Sequence, residues 1–463
     1  MGLRRVTRGL AGVAAALAVA AGASAPSASA SALAGAHFRV GAATEARLSF
    51  RASAPGTDWA RRGHEAAMLA VAVDGHVVGD VVAVGGASPS RYRVALGRVR
   101  PGAHIVSIAL DRAKSPPAVR RARAGRLRIL LARPTDRAAQ YAPILYGRDL
   151  PEIPGRFENN HTDAPLLGYH TVSRDASGRT TIEYTVIWSN EDEGTGTPAL
   201  MARWGRTTDI EWIYRVVLDR RGRKIADAYQ APGHGIQPFT GAREHRHPLL
   251  RTATGNNNTV PVTRAAAGSR YRFPLDFSRV LRAGRAREEM MDANPWTYRV
   301  MAKELVREGK LESPASADTP AVSDPRDYLF AEVVKTTAYP TPPAPGSWVG
   351  VALAVQLRGS ARWFASSHGV PDWSLQRDDP AATSVELPPG TSRADVAAVK
   401  AVAVPVGFGT SPPPSDYRIT VSALRRGFFL GRSFRPGKPL FHWTGNVVLS
   451  PAAPEVVIWR AAA

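Results

Sequence analysis

Asp209 and Glu211 alternate with apolar residues in the run Thr207-Thr208-Asp209-Ile210-Glu211-Trp212-Ile213-Tyr214. An extended strand projects residues two apart from one face, about 6.5–7 Å from each other. The two carboxylates then share one side, and Ile210, Trp212 and Tyr214 the other. A pair so placed suits general acid–base work or metal ligation, and its spacing resembles that of an inverting glycosidase, where a water fits between acid and base. Arg203, Arg206 and Arg215 stand nearby in sequence. Where arginine is this abundant, ion pairing of both carboxylates is the plainer expectation. The third candidate catalytic group is His234, presented on the flexible turn Pro232-Gly233-His234-Gly235.

Three further polar clusters carry binding or metal-ligating side chains. Glu158-Asn159-Asn160-His161-Thr162-Asp163 gathers oxygen donors of the kind calcium takes; Asn160 and Asp163 are the candidates, and an Asx-rich turn is the bland alternative. Ser189-Asn190-Glu191-Asp192-Glu193-Gly194 follows an expected strand over 180–188. Its consecutive carboxylates repel one another unless solvated, paired or metal-bound, which marks Glu191 and Asp192 as binding candidates. The spacing is not that of an EF-hand. His245 and His247, two apart in Glu244-His245-Arg246-His247-Pro248, could ligate zinc together with His234, with Asp163 as a carboxylate donor. Asn256 and Asn257, in Asn256-Asn257-Asn258, complete the binding candidates. No cofactor is dictated by these patterns; calcium and zinc are the ions that the donor sets suit.

The elements that must position these groups are short strands. The chain has 463 residues with 44% hydrophobic and 21% charged composition, which is ordinary for globular protein of about three domains. Residues 36–135 read as a β-sandwich, with Asp74-Gly75 as the two-residue turn of a hairpin. One strand is expected over 38–51. Residues 138–339 read as a β-rich central domain, with strands over 180–188, 210–218 and 226–230, a helix over 295–308 ended by Gly309, and a second helix within 279–291. The proline-rich stretch 340–346 reads as a linker, and 347–463 as a second β-sandwich. The expected fold class is therefore mainly β: two β-sandwich domains flanking a β-rich central domain with a few helices.

Tyr141-Ala142-Pro143-Ile144-Leu145-Tyr146, Thr162-Asp163-Ala164-Pro165-Leu166, Asp209-Ile210-Glu211-Trp212 and Pro232-Gly233-His234 follow one another in an order that resembles Vps62-related proteins. The resemblance spans about 120 residues and departs at the central motif, where Ile210 separates the acids and Trp212 follows them. It implies a β-rich core domain and no reaction.

Composition narrows the function. There is no cysteine, which removes disulfides, thiol nucleophiles and Cys-ligated metals. No Walker loop, Rossmann glycine pattern, G-x-S-x-G elbow or H-E-x-x-H helix is present. The net charge is +21, nearly all of it arginine, and in sequence it is spread along the chain. That distribution argues against specific nucleic-acid binding and suits attraction to an anionic cell-wall polymer. Residues 1–32 read as a secretory signal peptide: Arg4, Arg5 and Arg8, an apolar stretch over 10–21, and a small-residue cleavage site at Ala28-Ser29-Ala30. No second hydrophobic stretch has spanning length. The expected protein is secreted, extracellular or in the cell envelope, and binds polysaccharide or wall material. Trp348, Trp363, Trp373, Trp443 and Trp459 are the flat faces on which sugars would stack. The alternative is a metal-dependent or carboxylate-pair hydrolase acting on a glycan or ester.

Overall fold

The computed structural model describes residues 32–148, 162–191, 194–263, 270–312 and 318–462. The leader-like segment, Asn160 and Asp192 lie outside the described residues. Residues 32–463 form one compact unit, mainly β, and among the described residues no helix is long and apolar enough to cross a membrane.

The N-terminal sandwich packs a sheet ordered Ala34–Val40, Gly102–Leu110, Ala67–Val73, His76–Ala83 against a sheet built on Thr44–Ser53 and Ser90–Val99. Alternating inward residues such as Leu48, Phe50, Leu69, Val71, Val94 and Ile108 fill the space between them. Asp74 and Gly75 adopt the positive φ values (50° and 81°) that the tight hairpin requires. The strand expected over 38–51 is two strands, interrupted at 41–43.

The central domain is an antiparallel meander of five strands: Pro165–Arg174, Thr180–Trp188, Ile210–Leu218, Lys224–Gln230 and Ile236–Pro238. Both of its faces are covered. Tyr184, Val186, Trp188 and Val216 join one core, and Leu167, Tyr169, Ile187 and Ile210 another. A smaller sheet contains Ile144–Tyr146, which runs parallel to His247–Thr252. The helix Trp296–Glu308 forms as the pattern indicates, ending on Gly309 in the left-handed region at φ 69°. Within 279–291 only the start of a short helix, Glu289–Ala293, appears. A helix at Thr197–Trp204, with Pro198 in its first turn, has no counterpart in the sequence reading.

The C-terminal sandwich pairs Ala381–Glu386, Tyr328–Ala338, Arg418–Phe428 and Trp443–Leu449 in one sheet, and Trp363–Ala365, Trp348–Leu357, Val396–Val406 and Glu455–Arg460 in the other. Tyr328–Ala338 therefore belongs to this sandwich and not to the central domain. The 340–346 segment joins two strands of a single module.

Hydrogen bonds and apolar packing hold the modules to one another. Arg272, beside the smaller central sheet, donates from its main chain to Asp80 (2.9 Å) and from Nε to the Val78 carbonyl (2.9 Å). Its fork also grips Glu244 at 2.6 and 2.7 Å. Trp59, Met68 and Val82 of the first sandwich are continuous with the central core. At this seam Gly79 lies against Pro274, and a β-carbon on it would stand 2.2 Å from the proline Cδ. The rigid ring cannot swing away, so Gly79→Ala is expected to destabilise the protein by about 1–3 kcal/mol. Calorimetry measures this as a lowered Tm; an unchanged Tm would mean that the seam relaxes freely.

Candidate functional site

The candidate residues meet at one end of the central meander. Thr180–Trp188 sets Val186 opposite Glu211, and the Trp188 N–H donates to the Asp209 carbonyl at 2.9 Å. The chain leaving Trp188 brings Ser189, Asn190 and Glu191 to the same end. The neighbouring strand finishes at Gln230, and a single 3-10 turn over Pro232–His234 then delivers His234. A loop over 253–258, between His247–Thr252 and Thr259–Pro261, closes the arrangement. It is tied to the meander by Thr259 Oγ1 donating to the Gln230 carbonyl at 3.1 Å.

A β-bulge alters the face on which these groups sit. Tyr214 pairs with Tyr184 and Trp212 with Thr185, which leaves Ile213 as the extra residue. Alternation reverses there: Ile210 enters one core and Tyr214 the other. The expected common face of Ile210, Trp212 and Tyr214 does not form. Trp212 instead lies under the Arg215 guanidinium at 4.6 Å.

The carboxylates grade from exposed to buried. The His234 side chain is 54% exposed, and its Nδ1 stands 3.9 Å from Glu211 Oε2, whose side chain is 16% exposed. Asp209 is 2% exposed, and Asn257 Nδ2 donates to its Oδ2 at 3.0 Å. The Asn257 amide also reaches the Asn190 carbonyl at 3.3 Å. Gln230 and Asn258 approach His234 Nδ1 at 2.8 and 3.4 Å, and Asn256 approaches Nε2 at 3.4 Å. His234 and Asn257 both hold positive φ, 61° and 59°, a region that His and Asn tolerate better than most side chains. The asparagine loop is braced from within: Thr254 Oγ1 donates to Asn256 Oδ1 (2.7 Å) and accepts from the Asn258 N–H (3.0 Å).

Among the described residues the expected ion pairing of Asp209 and Glu211 does not occur, because Arg203, Arg206 and Arg215 are engaged elsewhere. Arg206 donates to Glu288 (3.1 Å) and to the Thr208 carbonyl. Arg215 pairs with Glu183 at 2.5 Å, and Arg203 lies over the Trp204 ring at 4.5 Å. Burial pushes the Asp209 carboxyl well above the usual range, and the negative charges of Glu211 and Glu191 push it the same way. Burial also pushes Glu191 up to about 7, with Arg206 opposing. Both shifts favour the protonated carboxyl, and that of Glu191 reaches the neutral range.

Three buried amide oxygens around this cluster, Gln230 Oε1, Asn257 Oδ1 and Asn258 Oδ1, have no hydrogen-bond partner among the described residues. Each costs about 1–3 kcal/mol while unsatisfied. All three are acceptors enclosed by the surrounding side chains.

The structure brings together Asp209, Glu211, His234, Glu191, Asn256 and Asn257. It does not assemble the metal set Asp163, His234, His245 and His247. Asp163 pairs with buried Arg148, which in turn donates to the carbonyls of Thr254 (3.3 Å) and Gly255 (3.4 Å) and so supports the asparagine loop from beneath. His247 is buried, with Nδ1 2.8 Å from the Ala142 carbonyl and Nε2 3.0 Å from Glu45. His245 occupies the turn between Arg243–Glu244 and His247–Thr252, at φ 56°. Among the described residues no group of three or more His, Asp or Glu side chains is arranged to hold a metal ion. Arg148, Gln230 and Asn258 escaped the sequence reading; only Asn258 carried a signal, as the third member of its asparagine run.

No protein-family model matches the chain, and no curated protein matches it. Among solved structures, a GH2 beta-galacturonidase from Eisenbergiella tayi, bound to glycerol, is similar at 13% identity and a TM-score of 0.15. The match covers 44% of this chain and 28% of that one. A likeness at that score carries no inference about fold or activity.

The two raised carboxyls fix the sign of a pH effect. The unfolded chain releases these protons in the ordinary carboxylate range while the folded chain keeps them, so stability falls as pH rises. Asp209→Asn is expected to gain in Tm over the wild type as pH rises above the ordinary carboxylate range. The gain of Glu191→Gln should level off near pH 7. Thermal melts across that range decide it, and a pH-independent Tm difference would contradict both shifts.

Proposed function

We propose that the protein is an exported glycan-active hydrolase whose acid–base pair is Asp209 and Glu211. The observation that carries this is the convergence of three carboxylates and an imidazole at one end of the meander, where burial and the charges of Glu211 and Glu191 push the Asp209 carboxyl up against the opposing pull of Arg206 and the Asn257 amide. In this role Asp209 protonates the leaving glycosidic oxygen, and Glu211, beside His234, takes a proton from the water that attacks the anomeric carbon. The leader-like residues 1–32 support an extracellular or cell-envelope setting.

A binding-only role is the second reading, since the polar side chains around half-exposed His234 can hold a sugar whether or not it is cut. The tryptophans of the C-terminal sandwich add little to it, since all five are half-buried. Trp443 and Trp459 pack on the core, Trp363 lies under Lys400 (4.5 Å) and Trp373 against His368 (6.1 Å).

Release of reducing ends from a panel of neutral and acidic polysaccharides tests the hydrolase. Asp209→Asn and Glu211→Gln should each lower the rate by about 100-fold or more while both proteins remain folded. Full activity in both variants, or polysaccharide retention by the wild type without any cleavage, would favour binding alone.

A further inference from the structure

The arginine charge that looks dispersed in sequence is gathered by strand pairing in the N-terminal sandwich. On the sheet formed by Ser90–Val99, Thr44–Ser53 and Arg128–Leu131, Arg51 lies directly opposite Arg91, and Ser49 lies between Arg93 and Arg128. Strands about 4.8 Å apart, with same-face residues about 6.5–7 Å apart along each, pack these guanidiniums into two adjacent rows. All four side chains, with that of Arg126, are exposed and line an open groove of about 730 Å³. Like charges directly opposite on neighbouring strands repel.

Acidic side chains stand only at one margin, where a smaller cleft that shares Arg91, Arg93 and Arg279 is also lined by Asp80 and Asp276. Neither this groove nor the hollow it runs into contains an Asp or Glu in its lining. That hollow, about 450 Å³, shares Arg91 and Arg93 and adds Arg279, Arg299 and Arg435 beside Asn294 and Trp296. Arg51 donates to the Pro89 carbonyl (2.7 Å) and Arg279 to Asn294 Oδ1 (3.3 Å), both uncharged acceptors. The contrast lies on the same sheet, where Arg47 finds Asp276 at 3.7 Å. Burial together with the charge of Arg93 brings Arg279 down to about 10, although Asp276 opposes the shift.

We infer that this groove binds an acidic polysaccharide, a chain bearing carboxylate or sulfate groups at intervals that the two arginine rows meet. Guanidinium forks match both anions bidentately. Single-stranded nucleic acid, the competing polyanion, is held by bases stacked on exposed rings. The rows offer none: Phe50 is buried, Tyr92 packs against it at 5.8 Å, and Phe38 at the rim is half-buried against His104. The groove is built from residues other than those of the Asp209 cluster, so either proposal can fail while the other stands.

The test is titration of the full chain with dextran sulfate, alginate, unsulfated dextran and a single-stranded DNA 20-mer at two salt concentrations. The expected result is salt-sensitive binding of dextran sulfate and alginate, no binding of dextran, and at least a tenfold loss in the triple variant Arg51→Gln, Arg91→Gln, Arg93→Gln. A control triple with the same change in net charge, Arg112→Gln, Arg174→Gln, Arg432→Gln, removes arginines exposed elsewhere and should bind within twofold of wild type. The Tm of the groove variant should equal or exceed that of the wild type, since a repulsion is removed. Equal losses in both triples, tighter binding of the DNA than of either acidic glycan, or no binding by the wild type would overturn the inference.

Discussion

Asp209 loses its hydration at the end of the central sheet and is met there by an amide instead of a guanidinium. Burial there favours the protonated carboxyl, as do the charges of Glu211 and Glu191, while Arg206 and the Asn257 amide favour the ionised one. Asn257 reaches it only because its backbone takes a left-handed turn. That turn in turn depends on Arg148, whose guanidinium holds the carbonyls of Thr254 and Gly255 while Asp163 balances its charge. The Arg148–Asp163 pair thus braces the loop from which Asn257 reaches Asp209.

The same division of labour appears at the module seams. Arg272 binds Glu244 through its fork and the first sandwich through its Nε and main chain, so one residue connects two sheets. At the other seam Phe330 and Phe428 stack with Tyr298 edge-on to both, while Arg426 holds Asp292 at 2.8 and 2.9 Å. Apolar area supplies most of the adhesion there, and buried charge sets the register in which the surfaces meet.

The β class was legible because period-two alternation and Asp-Gly or proline punctuation are local signals, and Asp74-Gly75 and Gly309 behave as their chemistry requires. Most of the candidate cluster was legible as well, since Asp209, Glu211, His234, Glu191 and the asparagine run are dense in side-chain chemistry. Features set by pairing partners were not legible. Nothing local to Ile213 announces a bulge, because its position is decided by the register against Tyr184 and Thr185. The arginines near Asp209 looked like its partners until Glu288 and Glu183, distant in sequence, were seen to take them. Arg51, Arg91 and Arg128 become neighbours only across strands, so a charge count along the chain disperses what the sheet collects.

The membership of Tyr328–Ala338 in the C-terminal sandwich reaches beyond topology. This strand sits between Ala381–Glu386 and Arg418–Phe428, with neighbours hydrogen-bonded on both sides. A fragment cut at the proline-rich segment 340–346 would leave two newly bared strand edges in the downstream piece and an orphaned, largely apolar strand on the upstream one. Both are templates for intermolecular pairing. During synthesis the same strand emerges early and must wait for about eighty more residues, since Arg418–Phe428 is its last partner to leave the ribosome. Any attempt to produce this sandwich alone therefore has to begin upstream of Tyr328, at the cost of carrying the aromatic patch that normally packs on the central helices.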